Sequence, residues 1–264
     1  MHIIPVLDIL DKQVVHGIGG NRKAYQPLSK SVITSSSHPV DVIHAFQEKL
    51  GLNWFYIADL NRIQVMKNLS SKNDLKEASQ EVKTKLSVNQ SVIKQLKQSD
   101  SYLMLDGGCH SLEDAMELQK YNVDQIILGT ETLHSPHMLK SIVNVLDAEE
   151  LILSIDLYDG KLLTSNTALQ DSTALALAKQ AEQLGLKAII VLELKKVGSR
   201  SGPLHPGLLK IARTITKIPV FGGGGVRNKA DLEKLQKNGI DGVLVATAFH
   251  NGTLSVTDLR AFSS

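Results

Sequence analysis

The 264-residue chain carries 29 Lys and Arg against 27 Asp and Glu, a formal net charge of +2, and its basic residues form no stripe. Such a balance gives no indication of a nucleic-acid partner. No apolar run approaches the roughly 20 residues that cross a bilayer, and the first residues lack the basic segment and cleavage site of a signal peptide. We therefore expect a cytoplasmic protein without membrane contact.

The length fits one large α/β barrel or two ordinary domains. The single cysteine, Cys109, excludes an internal disulfide and a cysteine-based metal cluster. The nine histidines include no His-x-x-x-His pair accompanied by a glutamate, so no metal site is expected.

Eight short apolar segments are predicted as buried strands, and a helical period follows each of them. The strands are Ile3–Asp8, Trp54–Asp59, Tyr102–Leu105, Gln125–Leu128, Leu151–Asp156, Ala188–Glu193, Ile218–Phe221 and Val243–Ala246. The helices are Val40–Leu50, Asn89–Gln98, Leu112–Tyr121, Pro136–Leu146, Ser172–Leu184, Pro206–Thr214, Asn228–Asn238 and Val256–Phe262. Ile9–Pro39 is predicted as a functional loop that begins with a short ribbon, and the polar segment Lys67–Ser87 as a surface insertion with room for one short helix.

The second half of the chain repeats the first. Ser101–Leu133 aligns without a gap on Ile218–His250, and Ile3–Val15 resembles Leu151–Leu163. The matched residues are Gly107-Gly108 with Gly224-Gly225, Asp114 with Asp231, Asp124 with Asp241, Thr130 with Thr247, Asp8 with Asp156 and Asp11 with Asp159. Four strand–helix units doubled to eight predict one α/β domain over residues 1–264, a (β/α)8 TIM barrel built from two half-barrels. Two flavodoxin-like halves are the alternative.

Two aspartates are the candidate catalytic residues. Asp8 ends the first strand and Asp156 the fifth, and these strands are diametrically opposed in an eight-stranded barrel. Active sites of such barrels lie at the carboxyl ends of the strands, so the carboxylates would face each other across the mouth. Unequal burial would give one protonated acid and one ionised base. An aspartate at a strand end can instead cap a helix, but the repeat-equivalent positions favour a catalytic pair.

Two glycine turns, each between an apolar strand and a capped helix, predict phosphate sites at the two ends of the mouth. Glycine lets the backbone approach a ligand closely, and a helix N-terminus favours an anion. The residues are Gly107, Gly108, Gly129 and Thr130 in the first half and Gly223, Gly224, Gly225, Ala246 and Thr247 in the second. Such a mouth fits an elongated ligand with two phosphates. A purely structural turn is the alternative.

The sequence does not assign a single role to the other polar residues near the mouth. Asp59 and Glu193 end the second and sixth strands, where they either line the mouth or hold loop backbone. Loop residues over the mouth are further candidates for substrate contact. These are His16, Arg22, Lys23 and Arg200.

For two residues the structural interpretation is favoured. Asp159 precedes Gly160, which predicts a turn. Cys109 is interpreted as a small buried residue rather than a nucleophile.

The stretches IIPVLD, LSIDLYDGKLL, FGGGGV and VATAF, with the internal doubling, resemble the HisA/HisF family of histidine biosynthesis, which comprises ProFAR isomerase and the cyclase subunit of imidazole glycerol phosphate synthase. The resemblance covers the chain except Lys67–Ser87. It implies a (β/α)8 barrel, ligands phosphorylated at both ends, and Asp8 and Asp156 as catalytic residues. It also implies an Amadori rearrangement without a cofactor, in which one carboxylic acid opens the ribose ring to a Schiff base and the other carboxylate takes the C2 proton.

The chain departs from the family pattern at three places. Val197-Gly198-Ser199 stands where Asp-Gly-Thr is usual, His16 where isomerases have arginine and cyclases lysine, and Asp106 where glycine is common. These departures indicate a paralogue whose acid–base chemistry is similar to that of the family. The stretch VVHGIGGNRKAYQP looks more like relatives of unassigned reaction that are associated with methanopterin-type one-carbon metabolism.

We therefore expect a HisA-like isomerase of a phosphorylated aminosugar, or such a paralogue acting on a different phosphorylated substrate. A non-catalytic phosphate-ligand binder that serves an unidentified partner protein through Lys67–Ser87 is an alternative of another class. A cyclase or lyase is the third hypothesis.

Overall fold

Eight parallel strands close into a ring at the centre of the computed structural model, which describes residues 1–16, 25–68, 79–133, 135–164, 173–197 and 202–262. The strands in chain order are β1 (His2–Leu10), β2 (Gln13–His16), β3 (Gln26–Pro27), β4 (Trp54–Asp59), β5 (Tyr102–Asp106), β6 (Gln125–Gly129), β7 (Leu151–Tyr158), β8 (Lys161–Leu162), β9 (Ala188–Glu193), β10 (Val220–Gly223) and β11 (Gly242–Val245). The ring runs β1-β4-β5-β6-β7-β9-β10-β11 and closes where β1 pairs in parallel with β11. The (β/α)8 barrel is confirmed, and the alternative of two open flavodoxin-like halves is wrong.

Helices surround the ring. They are α1 (Pro39–Leu50), α2 (Leu60–Asn68), α3 (Gln80–Ser87), α4 (Gln90–Leu96), α5 (Leu112–Gln119), α6 (Pro136–Val143), α7 (Ala174–Leu184), α8 (Pro206–Thr214), α9 (Lys229–Lys237), α10 (Thr247–His250) and α11 (Val256–Leu259). Helix α2, which follows β4 directly, was not predicted, while α3 is the short helix expected in the polar insertion. The last helix ends at Leu259 rather than Phe262. None of the described helices has the length and apolar character needed to cross a bilayer.

β1 and β7 each continue into a short antiparallel hairpin at the same position of the repeat. β2 returns along β1, and β8 returns along β7. Both turns begin with an aspartate of positive φ, 48° at Asp11 and 53° at Asp159, followed by a second residue of positive φ. Two successive residues in this region form the tight turn that suits the twist of a hairpin. The structural interpretation of Asp159 is thereby confirmed.

The two glycine modules, β5-α5-β6 and β10-α9-β11, fold alike. Ser111 caps α5 and Asn228 caps α9 through a side-chain oxygen that accepts the N–H of the third residue of the helix, Asp114 or Asp231. The two aspartates are buried, and each accepts the backbone N–H of the residue four positions earlier, at 3.1 and 3.0 Å.

The equivalence extends to the strands. Asp124 accepts the N–H of Leu103 at 2.7 Å, and Asp241 accepts the N–H of Val220 at 2.9 Å. Because the paired residues occupy matching positions in the ungapped alignment, the internal repeat of the sequence is matched by a repeat of hydrogen bonds.

Apolar side chains fill the lower part of the barrel. The inner cluster includes Ile4, Met104, Ile127, Ile152, Ile190, Phe221 and Leu244, all buried. A larger cluster packs the helices against the outside of the ring. A filled interior confines ligand binding to the carboxyl ends of the strands.

Candidate active site

A cavity of about 1180 Å³ opens at the carboxyl ends of the barrel strands. Asp8 on β1 and Asp156 on β7 both line it. These are the first and fifth strands of the ring, so their carboxylates reach the same space from opposite walls. Two carboxylates in this arrangement can give a proton to one side of a small substrate and take a proton from the other. Among the described residues, no cluster of three His, Cys, Asp or Glu side chains is arranged to hold a metal ion.

Neighbouring hydroxyl groups fix the position of Asp156. Its backbone N–H donates to Thr130 Oγ1 at 3.1 Å, and Ser154 Oγ donates to its Oδ1 at 3.3 Å. The Thr130 hydroxyl in turn donates to the carbonyl oxygen of Leu163 at 3.3 Å. Thr130 therefore ties the end of β7 to the segment after the β8 hairpin.

A third carboxylate, that of Asp106, lines the same cavity beside Tyr56. The Tyr56 hydroxyl donates to Asp106 Oδ2 at 3.0 Å. Burial raises the pKa of Tyr56 well above its usual value, and the nearby carboxylates of Asp106, Asp156 and Asp8 raise it further. Tyr56 thus keeps its proton and acts as a hydrogen-bond donor. Sequence reasoning missed Tyr56, although a tyrosine within an otherwise apolar strand was a usable signal.

The second glycine module contributes Gly224, Gly225, Ala246 and Thr247 to the cavity wall. Gly224 and Gly225 have φ values of 87° and 77°, which glycine adopts without strain. A β-carbon at Gly225 would lie 3.1 and 3.2 Å from two backbone oxygens, so this position has no room for a side chain. Gly223 is buried at the end of β10 and does not line the cavity.

The first glycine module lies outside the cavity wall. Gly107, Gly108, Gly129 and Thr130 are buried and line no part of the cavity. A β-carbon at Gly107 would lie 2.4 Å from a side-chain carbon of α5, and one at Gly108 would lie 3.0 Å from a backbone carbon of α2. The Gly108 N–H already donates to Asp106 Oδ1 at 3.0 Å. The structure therefore does not bring the two predicted phosphate sites together in one cavity.

The wall near the first module is built from α2 and the segment after β6. Lys67, at the end of α2, forms an ion pair with Glu131, and both line the cavity. Gln64 and Ile63 from α2 complete this part of the wall. Its charges are therefore already paired within the protein.

Two histidines line the cavity on the side of the second module. His16 and His250 meet ring edge to ring face at 6.3 Å, and His250 Nδ1 shares a hydrogen bond of 2.9 Å with Ser31 Oγ. Burial, with a smaller effect of His16, lowers the pKa of His250 to about 4. His250 is therefore neutral at physiological pH. Sequence reasoning did not single out His250, and Arg22, Lys23 and Arg200 lie outside the described residues.

Asp59 and Glu193 accept hydrogen bonds from nearby backbone and side-chain groups. Asp59 Oδ1 accepts the N–H of Arg62 at 3.2 Å and the amide of Asn89 at 2.8 Å. The Glu193 carboxylate accepts the N–H groups of Asp159 and Gly160, both at 2.9 Å. Both acidic residues are buried, and neither lines the cavity. Of the two roles considered for this pair, the hydrogen bonds favour the structural one.

Cys109 is fully buried, and its thiol donates to the carbonyl oxygen of Ser111 at 3.3 Å. Burial raises the pKa of the thiol far above its usual value, chiefly through desolvation of the thiolate. A thiol that stays protonated and has no access to the cavity is a packing residue, as expected.

The fold and the cavity define a (β/α)8 barrel with two opposed carboxylates and a glycine-lined wall at its mouth. A family model described as histidine biosynthesis protein matches residues 72–255. The chain is 33% identical to an uncharacterized protein of Methanocaldococcus jannaschii over 98% of this chain and 97% of the relative. The chain belongs to the histidine biosynthesis protein family.

Isomerases are among the relatives. The chain is 27% identical to a phosphoribosyl imidazole-4-carboxamide isomerase of Caulobacter vibrioides and 26% identical to that of Bacillus cytotoxicus. In both comparisons 98% of this chain and 97% of the relative are covered. The name of these enzymes specifies a substrate with two phosphoribosyl groups.

Proposed function

We propose that the protein is an isomerase of a phosphorylated aminosugar, with Asp8 and Asp156 as its acid and base. The observation that carries the proposal is that these two residues line one cavity from opposite strands. The isomerase relatives support the class of reaction. Gly224, Gly225, Ala246 and Thr247 line the cavity beside the pair and would hold the phosphate of the substrate.

The reaction is an aldose–ketose rearrangement that needs no electron acceptor. The acid protonates the ring oxygen of the sugar, the ring opens, and C1 becomes a Schiff base with the attached nitrogen. The base then removes the C2 proton, and the electron pair moves to form an enolamine. Return of a proton to C1 and loss of the C2 hydroxyl proton give the ketose, so atoms and charge balance.

The proposal is tested by following hydrogen exchange at C2. A thermal-shift screen of phosphorylated N-substituted aminosugars identifies a ligand, because a ligand at 100 times its dissociation constant stabilises the fold by about 2.7 kcal/mol. Exchange of the C2 hydrogen of that ligand is then followed by NMR in deuterated water. Asp8→Asn and Asp156→Asn are each expected to slow turnover by about 10²-fold or more with an unchanged melting temperature.

Asp159→Asn is the matched control, because Asp159 is an exposed turn residue three positions after Asp156. This variant is expected to keep wild-type turnover. Near-normal exchange in either cavity variant would remove that residue from the mechanism, and the absence of any aminosugar phosphate that binds would overturn the proposal.

A related enzyme with a different phosphorylated substrate is favoured by the three departures from the family pattern. Val197, Asp106 and His16 all line the cavity, so the departures fall where a substrate would be recognised. The acid–base pair is the same under this alternative. The screen distinguishes the two, because the phosphoribosyl imidazole-carboxamide of the isomerase relatives is expected to bind weakly if the substrate differs.

A further inference from the structure

Asp106 is a third carboxylate in the wall of the cavity that holds Asp8 and Asp156. It is the last residue of β5. The ring order β1-β4-β5-β6-β7 puts β5 two strands from β1 and two strands from β7. Asp106 therefore lies midway along the arc of wall that joins the two opposed aspartates.

The second glycine module occupies the opposite midpoint of the ring. β10 is also two strands from β7 and two strands from β1, and Gly224 and Gly225, which follow it, line the cavity. A sugar whose terminal phosphate is held there extends across the mouth. Its C1 and C2 atoms, at the end away from the phosphate, would then lie between Asp8 and Asp156 and face Asp106.

The strand registers place Asp106 and Asp8 at one level of the wall. Ala58 on β4 pairs with Asp8 on one side and with Asp106 on the other, and all three residues line the cavity. Neighbouring strands lie about 4.8 Å apart, so the Cα atoms of the two aspartates are about 10 Å apart. This separation leaves room for one sugar carbon and its hydroxyl group between the two carboxylates.

The second half of the barrel has a glycine at the matching position. Leu192 on β9 pairs with Asp156 on one side and with Gly223 on the other, in the register of Ala58. The two strand–turn–helix modules fold alike although one has aspartate here and the other glycine. The fold of the module therefore does not require the carboxylate of Asp106.

Two hydrogen bonds hold the Asp106 carboxylate at the wall. Oδ2 accepts from the Tyr56 hydroxyl and Oδ1 from the Gly108 N–H, both at 3.0 Å, and Asp106 has further interactions within the chain. Donors of this kind favour the ionised form of a carboxylate. A carboxylate offers about four acceptor positions, so a substrate hydroxyl can join the donors already present.

The proposed rearrangement contains a proton transfer for which the opposed pair is badly placed. Asp8 and Asp156 act on the ring oxygen and on the C2–H bond, and the base removes the C2 proton perpendicular to the plane of the enolamine. The C2 hydroxyl lies in that plane, and it must lose its proton before the ketose forms. An acceptor for this proton belongs at right angles to the line between the two aspartates, where the ring order places Asp106.

We propose that Asp106 is a third catalytic residue, which binds the C2 hydroxyl of the substrate and accepts its proton as the enolamine becomes the ketose. The O–H electron pair forms the C2=O bond, and the electrons of the C1=C2 bond take a proton at C1 from the residue that removed the C2 proton. The proton on Asp106 then replaces, through solvent, the proton that the acid gave to the ring oxygen. This inference rests on the proposed function and assigns one of its proton transfers.

Asp106→Asn separates the two halves of the reaction. The amide oxygen can still accept from Gly108 and the amide N–H can donate to Tyr56, so the variant is expected to keep the wild-type melting temperature. An N-substituted ribosylamine phosphate that binds in the screen is the probe, and NMR in deuterated water follows C2 exchange and ketose formation in one sample. Ketose formation is expected to fall about 10²-fold, while deuterium still enters C2 of the unconverted sugar because the enolamine forms and reverts.

Asp124→Asn is the matched control, because Asp124 also accepts a backbone N–H, that of Leu103, and lies outside the cavity. It is expected to leave both rates unchanged. If exchange and ketose formation fall together in Asp106→Asn, or if neither falls, the inference is overturned and the proposed function stands. A wild type that neither exchanges nor converts any aminosugar phosphate overturns both.

Binding of the same probe without its C2 hydroxyl gives a check that does not depend on turnover. Loss of the hydroxyl is expected to weaken binding to the wild type about tenfold, as loss of a hydrogen bond to a charged group does. Asp106→Ala is expected to bind the two forms equally, and Asp106→Gly, which has the residue of the matching position, replaces it if that variant does not fold. An equal preference for the hydroxyl form in wild type and variant overturns the inference and leaves the proposed function standing.

Discussion

The hydroxyl of Tyr56 and the Oδ2 atom of Asp106 share a hydrogen bond of 3.0 Å in the wall of the cavity that also holds Asp8 and Asp156. Tyr56 lies opposite Val6, two residues before Asp8 on the neighbouring strand. The Tyr56 hydroxyl is close enough to all three carboxylates for each of them to raise its pKa. A donor that stays protonated beside a carboxylate favours the ionised form of that carboxylate. Tyr56 therefore influences the charge of the whole cluster.

Tyr56→Phe is expected to move the acidic limb of the pH–rate profile to higher pH. Loss of the hydroxyl removes a hydrogen bond to a charged group, a contribution of about 1.5 kcal/mol, so the carboxylates of the cavity become easier to protonate. Turnover at neutral pH is expected to fall about tenfold. The measurement is kcat from pH 4 to 9, with Tyr102→Phe as the control, since the Tyr102 hydroxyl accepts from Gln125 away from the cavity. Superimposable profiles for wild type and Tyr56→Phe would contradict this role.

Asp59→Asn is expected to stabilise the protein at pH 8. Burial raises the pKa of Asp59 from 3.8 to about 6, and its Oδ2 atom has no hydrogen-bond partner in the described part of the chain. A carboxyl group with a raised pKa stabilises the fold below pH 3.8, and this contribution is lost as the pH rises through 6. Above pH 6 the ionised carboxylate of Asp59 destabilises the folded state. The neutral amide of the variant removes this destabilisation, and its oxygen still accepts a hydrogen bond from the side chain of Asn89.

The expected gain is about 1 kcal/mol in the free energy of unfolding at pH 8, because the new amide is itself unpartnered. The gain is expected to vanish near pH 3, which lies below both pKa values, so that Asp59 is protonated in the folded and in the unfolded state. Urea unfolding at the two pH values measures it. Turnover should stay at the wild-type value, and a large loss of turnover would instead place Asp59 among the substrate contacts.

Much of the fold could be predicted because each element occurs in both halves of the repeat, so the sequence signals of one copy can be checked against those of the other. The caps Ser111 and Asn228 and the buried aspartates Asp114 and Asp231 support one another, and each is a local signal that needs no tertiary knowledge. The opposed positions of Asp8 and Asp156 followed from the count of strands.

The position of the first glycine module outside the cavity wall could not be predicted in this way. It depends on α2, a helix of mixed polar and apolar residues whose buried Ile63 and Met66 pack against the loop at Gly108. It depends equally on the side-chain direction of Asp106, which a sequence pattern does not specify. Contacts between elements far apart in the chain override local similarity.

His250 is expected to make the protein less stable in mild acid. Burial lowers the pKa of His250 from 6.5 to about 4, so the folded state resists a proton that the unfolded state accepts. Above pH 6.5 the imidazole of His250 is neutral in both states and does not change the free energy of unfolding. As the pH falls from 6.5 towards 4, the free energy of unfolding decreases because only the unfolded state gains the proton. Between pH 7 and pH 5 the loss due to this histidine is about 2 kcal/mol.

His250→Gln is the test, with His44→Gln as the control because His44 is exposed. Urea unfolding of both variants at pH 7 and pH 5 compares the acid-induced loss. We expect His250→Gln to lose about 2 kcal/mol less than wild type on acidification and His44→Gln to match wild type. Equal losses in all three proteins would show that His250 is protonated as easily in the folded chain as in the unfolded one.

Thr130 is expected to act on catalysis through Asp156. Its hydroxyl accepts the Asp156 N–H at 3.1 Å and donates to Leu163 at 3.3 Å, although Thr130 itself does not line the cavity. Thr130→Val keeps the shape of the side chain but leaves the N–H of Asp156 without this acceptor, so the end of β7 shifts. Misplacement of a catalytic group lowers kcat, and we expect a loss of about tenfold with little change in KM.

Thr132→Val is a matched control, because the Thr132 hydroxyl bonds only to the carbonyl oxygens of Cys109 and Gly129 among the described contacts. Both variants lose a buried hydrogen bond, so both are expected to be destabilised by about 1 kcal/mol. Only Thr130→Val is expected to lose turnover, and the lost activity should return in Thr130→Ser, which restores the hydroxyl. Equal effects of the two valine variants on kcat would mean that general destabilisation, and not the position of Asp156, explains the loss.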